Sequence, residues 1–348
     1  MDSARGPAHP GPPARTERGR GMGRRLEACA WSEGNTFHHC QFEDLDRLLE
    51  LKRRAGKTVS VCLPCLNEAT TIGPILETVV EELMSRVPLV DQLCVVDGGS
   101  RDGTPELARE VGAEVYLQKE ILPGLYAPQG KGDALWRSMY CMRGDIIIWM
   151  DSDIRNFHPR FVYGILGPLL TRPDILFVKG FYQRPFRAEH RLLPTGGGRV
   201  TELVARPLLS LFYPELTALI QPLSGEYGGE RSLLENIPFF SGYGVEIGML
   251  IDIYSRYGMG VIGQVDLEER QHRNQTLPAL GRMAFQVMQA VLVRLQEEGR
   301  LSFPEGFRTE ITQVDYRDGE YILDTRKLPV EERPPISQLQ EYRALFGG

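Results

Sequence analysis

From Thr58 to Tyr182 the chain repeats one pattern: a short apolar run, a polar or glycine-rich turn, then a segment with apolar residues at helical spacing. "TVSVCLP" reads as a strand ending at Pro64. After it, Ile72, Ile75, Leu76, Val79, Val80, Leu83 and Met84 fall on one helical face, with Asn67 as the expected N-cap. "DQLCVVDGGS" is a second strand ending in Asp97, and Thr104-Pro105 opens a second helix. "AEVYLQ", "GDIIIWMDSD" and "DILFVKGFY" complete five strands, separated by helices over "GDALWRSMYCM" and from Pro159 to Leu170. Strands alternating with helices predict an α/β fold: a Rossmann-like, open, mostly parallel sheet flanked by helices. Ligands of such sheets bind at the carboxyl ends of the strands. That rule singles out Pro64 to Glu68, Asp97 to Ser100 and Asp151 to Asp153.

The rest of the chain is less regular. Residues 1–22, rich in Pro, Gly and Arg, are expected to be a disordered tail, and 23–56 a helical segment and linker. Residues 57–180 are expected to form the first half of the fold and 181–300 the second, with a C-terminal extension over 301–348. In the second half helices are expected over "GGGRVTELVARPLLSLF", "GYGVEIGMLIDIYSRYG" and Leu280 to Leu295, and a strand over "MGVIGQVDL". Short strands follow around Glu310 to Gln313 and Tyr321 to Asp324, and "EERPPISQL" reads as extended.

Composition narrows the function. Apolar residues make up 42% and charged residues 25%, values of a globular protein with a real core. Net charge is −6, and the first 25 residues hold six arginines against Asp2 and Glu17, so the remainder is more acidic still. That excludes a general nucleic-acid binder, which needs a basic face. No run approaches the ~18 apolar residues of a membrane span, and no secretory signal is visible. A cytoplasmic protein is the expectation.

Asp151-Ser152-Asp153 is the strongest local signal: two carboxylates at a strand end can share a divalent ion or divide between metal and ribose. Lys131 sits in a Gly-flanked loop opening a helix, where an anion site and a plain surface loop fit equally well. Gly196-Gly197-Gly198-Arg199-Val200-Thr201 fits an anion site better, because glycines admit close backbone approach and Arg199 adds a charged fork. Glu246 either complements a helix dipole or binds sugar hydroxyls. Locally, His272 is a polar loop residue. Cys62 and Cys65 lack the second pair that a zinc site needs, and Cys62 lies inside a strand. "LPCLNE" is therefore the edge of a nucleotide pocket. Its Pro64 and Leu66 face a base, and Glu68 or Asp97 its polar edges.

Taken together, "LPCLNEATTI", "VVDGGSRDGT", "GKGDAL" and "WMDSD" resemble the nucleotide-binding half of GT-A glycosyltransferases. "TGGGRVTELVARPLL", "QPLSGEYGGER", "GYGVEIGMLID" and "QVDLEERQHRN" resemble the bacterial glucosyl-3-phosphoglycerate and mannosyl-3-phosphoglycerate synthases, a retaining family. The likeness runs from about Val59 to Asn274 and implies that 57–180 is a nucleotide-sugar-binding half and 181–300 an acceptor- and metal-binding half. It implies a GT-A fold and a divalent cofactor, Mg2+ or alternatively Mn2+ or Co2+, on Asp153 and His272. It places Asp151 and Ser152 near the ribose, and Pro64, Leu66, Asn67, Glu68, Asp97 and Lys131 along the nucleotide. Glu246 would bind the sugar, with Leu223 close to the transferred anomeric carbon. Gly198, Arg199, Thr201 and Asn274 would hold 3-phosphoglycerate. Gly98 and Cys65 depart from the Ser and Ala more usual in glucosyl members. The overall likeness leans to a mannosyl enzyme using GDP-mannose, with transfer from UDP- or GDP-glucose as the alternative, and to a homodimer without nucleic-acid or membrane partners. A lipid-phosphate glycosyltransferase and an inactive sugar-nucleotide sensor are the other classes weighed.

Overall fold

The computed structural model describes residues 31–127, 129–183, 186–188, 191–193, 198–271 and 275–347. The expected tail over 1–22, Gly196, Gly197, His272 and Asn274 lie outside them. Eight strands build one sheet. In chain order these are β1 (Thr36–His38), β2 (Val59–Cys65), β3 (Gln92–Asp97), β4 (Glu114–Leu117), β5 (Ile146–Trp149) and β6 (Phe177–Gln183). A small hairpin of β7 (Phe186–Ala188) and β8 (Arg191–Leu193) follows, then β9 (Tyr227–Glu230), the short β10 (Phe239–Phe240) and β11 (Ile262–Glu269). Across the sheet the order is β1-β11-β6-β9-β5-β2-β3-β4. Only β9 runs against its neighbours β5 and β6. The mostly parallel sheet expected from the sequence is thus present, with helices on both faces.

Period-two alternation divides each central strand between two cores. Val61, Leu63, Leu93, Val95, Ile146 and Ile148 face the helices Leu45–Ala55, Ile72–Thr78 and Arg160–Thr171. Cys62, Cys94, Val96, Ile147 and Trp149 face the other side, toward the helices Gly130–Cys141, Val245–Tyr257 and Leu277–Glu297. Because both faces are covered, the strands read as continuous apolar runs.

Three expectations need correction. Asn67 does not cap the helix, which begins at Ile72 after Thr71. It adopts a left-handed φ of 57° instead, a conformation that Asn tolerates better than most residues. The segment over 23–56 contains a strand as well as a helix: β1 pairs in parallel with β11. Its three residues are too few to show alternation. Residue 180 lies within β6, and β9 and β11 from beyond it share the same sheet, so the two halves are joined by one hydrogen-bonded layer. β9, "YGGE", has no apolar pattern to read. Its glycines are there for close approach: a Cβ on Gly228 would stand 2.6 Å from the Ile147 carbonyl oxygen, and one on Gly229 2.6 Å from that of Leu176.

The C-terminal extension holds a hairpin, β12 (Glu310–Arg317) and β13 (Glu320–Lys327), and a short strand, β14 (Glu332–Arg333), paired to β10. The chain ends in a helix, Gln340–Phe346, that the sequence reading lacks. Arg333 anchors this extension. Its Nε meets Asp133 Oδ1 at 2.7 Å, while Arg137 Nε takes Oδ2 at 2.7 Å, all three side chains being buried.

Candidate active site

Three loops at the carboxyl ends of β2, β3 and β5 are tied together by side chains. Asp97 is only 1% exposed. Its Oδ1 accepts hydrogen bonds from the Gly99 and Ser100 amides, and its Oδ2 from the Ser100 hydroxyl. Asp97 therefore turns inward and shapes the glycine turn, and does not face outward to a base as the sequence reading had it. Ser100 Oγ in turn accepts from the Asn67 amide at 2.8 Å, and Asn67 Oδ1 accepts from the Arg101 amide at 2.9 Å. Ser152 Oγ donates to the Pro64 carbonyl, and the Ser152 carbonyl accepts from Thr71 Oγ1, which also reaches Glu68 Oε2. Leu66 stands 55% exposed at the rim. Pro64, Leu66, Asn67, Glu68 and Ser152 thus share one wall.

The thiols beside this wall are free and inert. Burial, followed by the charge of Asp97, pushes the Cys65 thiol above its usual range, and burial alone dominates for Cys62. Since the thiolate is the reactive form, neither cysteine is a nucleophile or soft metal ligand here.

The charged centre lies at the ends of β5, β6, β9 and β11. Lys131, at the start of the helix Gly130–Cys141, places Nζ 2.6 Å from Asp151 Oδ1 and 2.8 Å from Glu246 Oε1. Burial opposes its charge, but the Asp151 and Glu246 carboxylates outweigh that and hold its pKa well above the usual lysine value. The surface-loop reading of Lys131 is therefore replaced by a half-buried ion pair. Glu246 does sit in the first turn of the helix Val245–Tyr257, yet its carboxylate is engaged by Lys131.

Arg270 closes the other side. Its Nη2 lies 3.0 Å from Asp151 Oδ2 and 2.5 Å from Asp153 Oδ1, Nη1 donates to the Tyr182 hydroxyl, and Nε lies 3.4 Å from Glu226 Oε1. Burial disfavours the guanidinium charge, but Glu226 and the other acids override it and raise its pKa further. Beneath them Lys179 donates to the Ser224 carbonyl at 2.6 Å and lies 4.1 Å from the Tyr227 ring centroid. Burial drags its pKa down to about 7, against the pull of Glu246. Gly225 is pressed against Asp151 so closely that a Cβ would overlap the carboxylate. The Ser224-Gly225 turn, with the half-buried Leu223 before it, is thereby fixed over the centre.

Of the residues expected from sequence, Lys131, Asp151, Asp153 and Glu246 are brought together. Arg270, Glu226, Lys179 and Gly225 are added by the fold. For Glu226, Gly225 and Arg270 the signal was membership of the "QPLSGEYGGER" and "DLEERQHRN" stretches without an assigned role, and Lys179 lay inside the strand "DILFVKGFY". Gly198, at a left-handed φ of 81°, turns the chain into Thr201, which is buried, and Arg199 Nη2 donates to the Gln275 carbonyl at 3.0 Å. The glycine loop thus abuts the residue following Asn274. Gln271, the last described residue before His272, receives a hydrogen bond on its carbonyl from the Arg155 amide and donates its own amide to Asn156 Oδ1. The chain is therefore pinned to the loop just after Asp153 at that point.

An oxygen-rich pair such as Asp151 and Asp153, with side chains 22% and 27% exposed, suits a hard divalent cation. Among the described residues Asp153 uses only Oδ1, on Arg270. The donor chemistry fits Mg2+ or Mn2+.

Comparison with known proteins places this arrangement. Residues 60–240 match the model of Glycosyl transferase family 2. The glucosyl-3-phosphoglycerate synthase of Petrotoga mobilis is 48% identical over 311 residues, covering 89% of this chain and 96% of that one. The crystal structure of mannosyl-3-phosphoglycerate synthase from Rubrobacter xylanophilus superposes with a TM-score of 0.82 at 42% identity, covering 89% of this chain and 97% of that one. Glucosyl-3-phosphoglycerate synthase from Mycobacterium tuberculosis, solved with Mn2+, UDP and glucosyl-3-phosphoglycerate, gives a TM-score of 0.76 at 41% identity, covering 87% and 98%. The loops after β2, β3 and β5, with Asp97, Asp151 and Asp153, fall within residues 60–240, and this chain belongs to Glycosyl transferase family 2, as a GT-A glycosyltransferase of the glucosyl-3-phosphoglycerate and mannosyl-3-phosphoglycerate synthase group.

Proposed function

We propose that the protein transfers a hexose, with retention of anomeric configuration, from a nucleoside diphosphate sugar to the 2-hydroxyl of D-3-phosphoglycerate. The observation that carries this reading is the Lys131–Asp151–Glu246 and Arg270–Asp153 centre at the strand ends, flanked by the Gly198–Thr201 turn. Pro64, Leu66, Asn67 and Glu68 line the nucleotide, with Asp97 holding their loop in shape. Glu246 addresses the sugar hydroxyls, and Lys131, paired with Glu246 and Asp151, lies along the nucleotide. Gly198, Arg199, Thr201 and Asn274 take the phosphate and carboxylate of the acceptor. Asp153 and His272 hold a divalent ion, Mg2+ or Mn2+, as the Mycobacterium relative holds Mn2+ beside UDP. When bound, that ion supplies positive charge where the leaving diphosphate gathers negative charge.

The residues of this chain favour a front-face route to retention. Glu246 is engaged by Lys131 and Asp151 by Lys131 and Arg270, so neither is poised as a nucleophile. Lys179, through its hydrogen bond to the Ser224 carbonyl, fixes the turn that presents Leu223 to the anomeric carbon. The acceptor hydroxyl then gives its proton to the departing phosphate.

The sequence likeness leans to mannose. The identity of the Petrotoga relative and the UDP held by the Mycobacterium one favour glucose from UDP-glucose, and the Rubrobacter superposition keeps GDP-mannose as the second reading. A panel of UDP-glucose, GDP-glucose and GDP-mannose with 3-phosphoglycerate and Mg2+ decides. UDP-glucose is expected to give the highest kcat/KM, and the product's anomeric proton coupling reports retention. No product from any donor would reduce the protein to a sensor and end the transferase reading.

No helix among the described residues is long and apolar enough to cross a membrane. A homodimer belongs to the same proposal. The hairpin β12–β13 exposes Val314, Tyr316, Tyr321 and Leu323 at 62–79%, and a two-stranded hairpin with apolar residues in water is unstable alone. Tyr321→Lys is expected to shift the mass in light scattering from dimer toward monomer. A monomeric parent protein would sink the proposal.

A further inference from the structure

One cluster plays no part in the centre described above. At the end of β1, His38, His39 and Cys40 converge with Glu268 of β11, so that one ligand atom from each lies within 4.8 Å of all the others. His39 Nε2 is 3.0 Å from Glu268 Oε1 and 3.8 Å from Cys40 Sγ. We propose that these four side chains form a binding site for a borderline transition-metal ion of the Zn2+ class, separate from the hard-cation site at Asp153. This site does not depend on the transferase reading.

The donor set argues for that class of ion. Two imidazoles, a thiol and a carboxylate are the ligands that Zn2+ prefers, whereas Mg2+ takes oxygen alone. Zinc bonds of ~2.0–2.3 Å in a tetrahedron set ligand atoms roughly 3.3–3.8 Å apart. The Cys40–His39 spacing already satisfies this. The His39–Glu268 pair must open slightly and the widest pair close by about 1 Å.

The surroundings hold the ligands in the required form. His39 is buried, and its Nδ1 meets the Tyr163 hydroxyl at 3.0 Å, which leaves Nε2 directed at the cluster. Such an outer partner on the second ring nitrogen is what orients metal-binding histidines. Glu268 Oε2 is held by Arg160 at 3.3 Å, leaving Oε1 for the ion. The backbone also bends at Glu268. β11 breaks register with β6 between Asp266 and Glu269, and Glu268 takes a φ of 67° inside that bulge. A side chain held there costs energy, and bulges re-aim side chains at functional places. An ordinary His39–Glu268 ion pair accounts for two of these groups, and His38 Nδ1 also accepts from the Cys40 amide at 3.3 Å as the cap of the turn that follows. Neither contact accounts for the exposed Cys40 thiol standing against His39 Nε2.

The test uses the whole reduced protein, freed of metal, titrated with Co2+ as a spectroscopic stand-in and then with Zn2+. One equivalent of Co2+ is expected to give tetrahedral d–d bands with a thiolate-to-cobalt charge-transfer band, both abolished by one equivalent of Zn2+. Cys40→Ser should remove the charge-transfer band, and Glu268→Gln should weaken Zn2+ binding by at least ~10-fold, the lower bound for losing even an outer-shell partner. Both positions are exposed, so these variants keep the fold, which melting curves verify. Asp153→Asn should leave the band unchanged. Absence of the band in the parent protein, its survival in Cys40→Ser, or its loss in Asp153→Asn would each overturn the proposal.

Discussion

Replacing Asp153 by Ala is expected to lower the transfer rate by about 10³-fold or more, with melting within about 3 °C of the parent protein. The rate loss follows from the position of the carboxylate. Asp153 stands at the end of β5, is partly open to solvent, and among the described residues spends only Oδ1 on Arg270. In the proposed function it holds the divalent ion. A metal ion's electrostatic contribution to such a reaction is several kcal/mol, and each ~1.4 kcal/mol is a factor of ten. The small stability change follows from what remains. Arg270 keeps Asp151, Glu226 and Tyr182 as partners, so no cation is stranded. Initial rates with the best donor, 3-phosphoglycerate and saturating Mg2+ measure the first effect, and Mn2+ binding followed by EPR measures its cause. Full activity, or unchanged Mn2+ affinity, would remove Asp153 from the metal site.

Much of this arrangement was legible because parallel β/α architecture writes itself locally. Ile146 to Trp149 is a strand buried on both faces, and the carboxylates that follow it are placed at the ligand edge by topology alone. The unread parts share a physical reason: they are set by non-local packing. β9 is a strand because Gly228 and Gly229 let it slip between β5 and β6, and two glycines in four residues give no periodicity. Asn67 reads as a cap from its neighbours, but its side chain is recruited across to the Arg101 amide in the next loop. Asp97 likewise looks outward from sequence, and the glycine turn that follows draws it in. Lys131 is ambiguous alone and decisive once Asp151 and Glu246 are seen on either side of it. Local sequence thus places the carboxylates, but not the cations that balance them, since a counter-charge is chosen by the fold from anywhere in the chain.

Arg270 shows the consequence most sharply, and Arg270→Met should be the most destabilising single change at the site. Its guanidinium serves several partners: Nη2 pairs with Asp151 and Asp153, Nη1 donates to the Tyr182 hydroxyl, and Nε lies 3.4 Å from Glu226 Oε1, an ion-pair contact without a hydrogen bond. Its side chain is 4% exposed and that of Glu226 0%. Removing one partner of a buried ion pair typically costs ~3–5 kcal/mol, because the remaining charge keeps its desolvation penalty and loses its compensation. At about 2 °C per kcal/mol for a chain of this size, the melting temperature should fall by about 6–10 °C. Arg270→Lys should recover little, since a point charge cannot span two carboxylates and a hydroxyl as the planar fork does. Adding Glu226→Gln to Arg270→Met should restore at least half of the loss, because it removes the buried charge that the first change exposes. Calorimetry on the four proteins closes this double-variant cycle. If Arg270→Met melts within 2 °C of the parent, or if Glu226→Gln deepens the loss, the balance of charge around Glu226 is not what holds this corner of the sheet, and Arg270 would be left with only its role of steering Asp151 and Asp153.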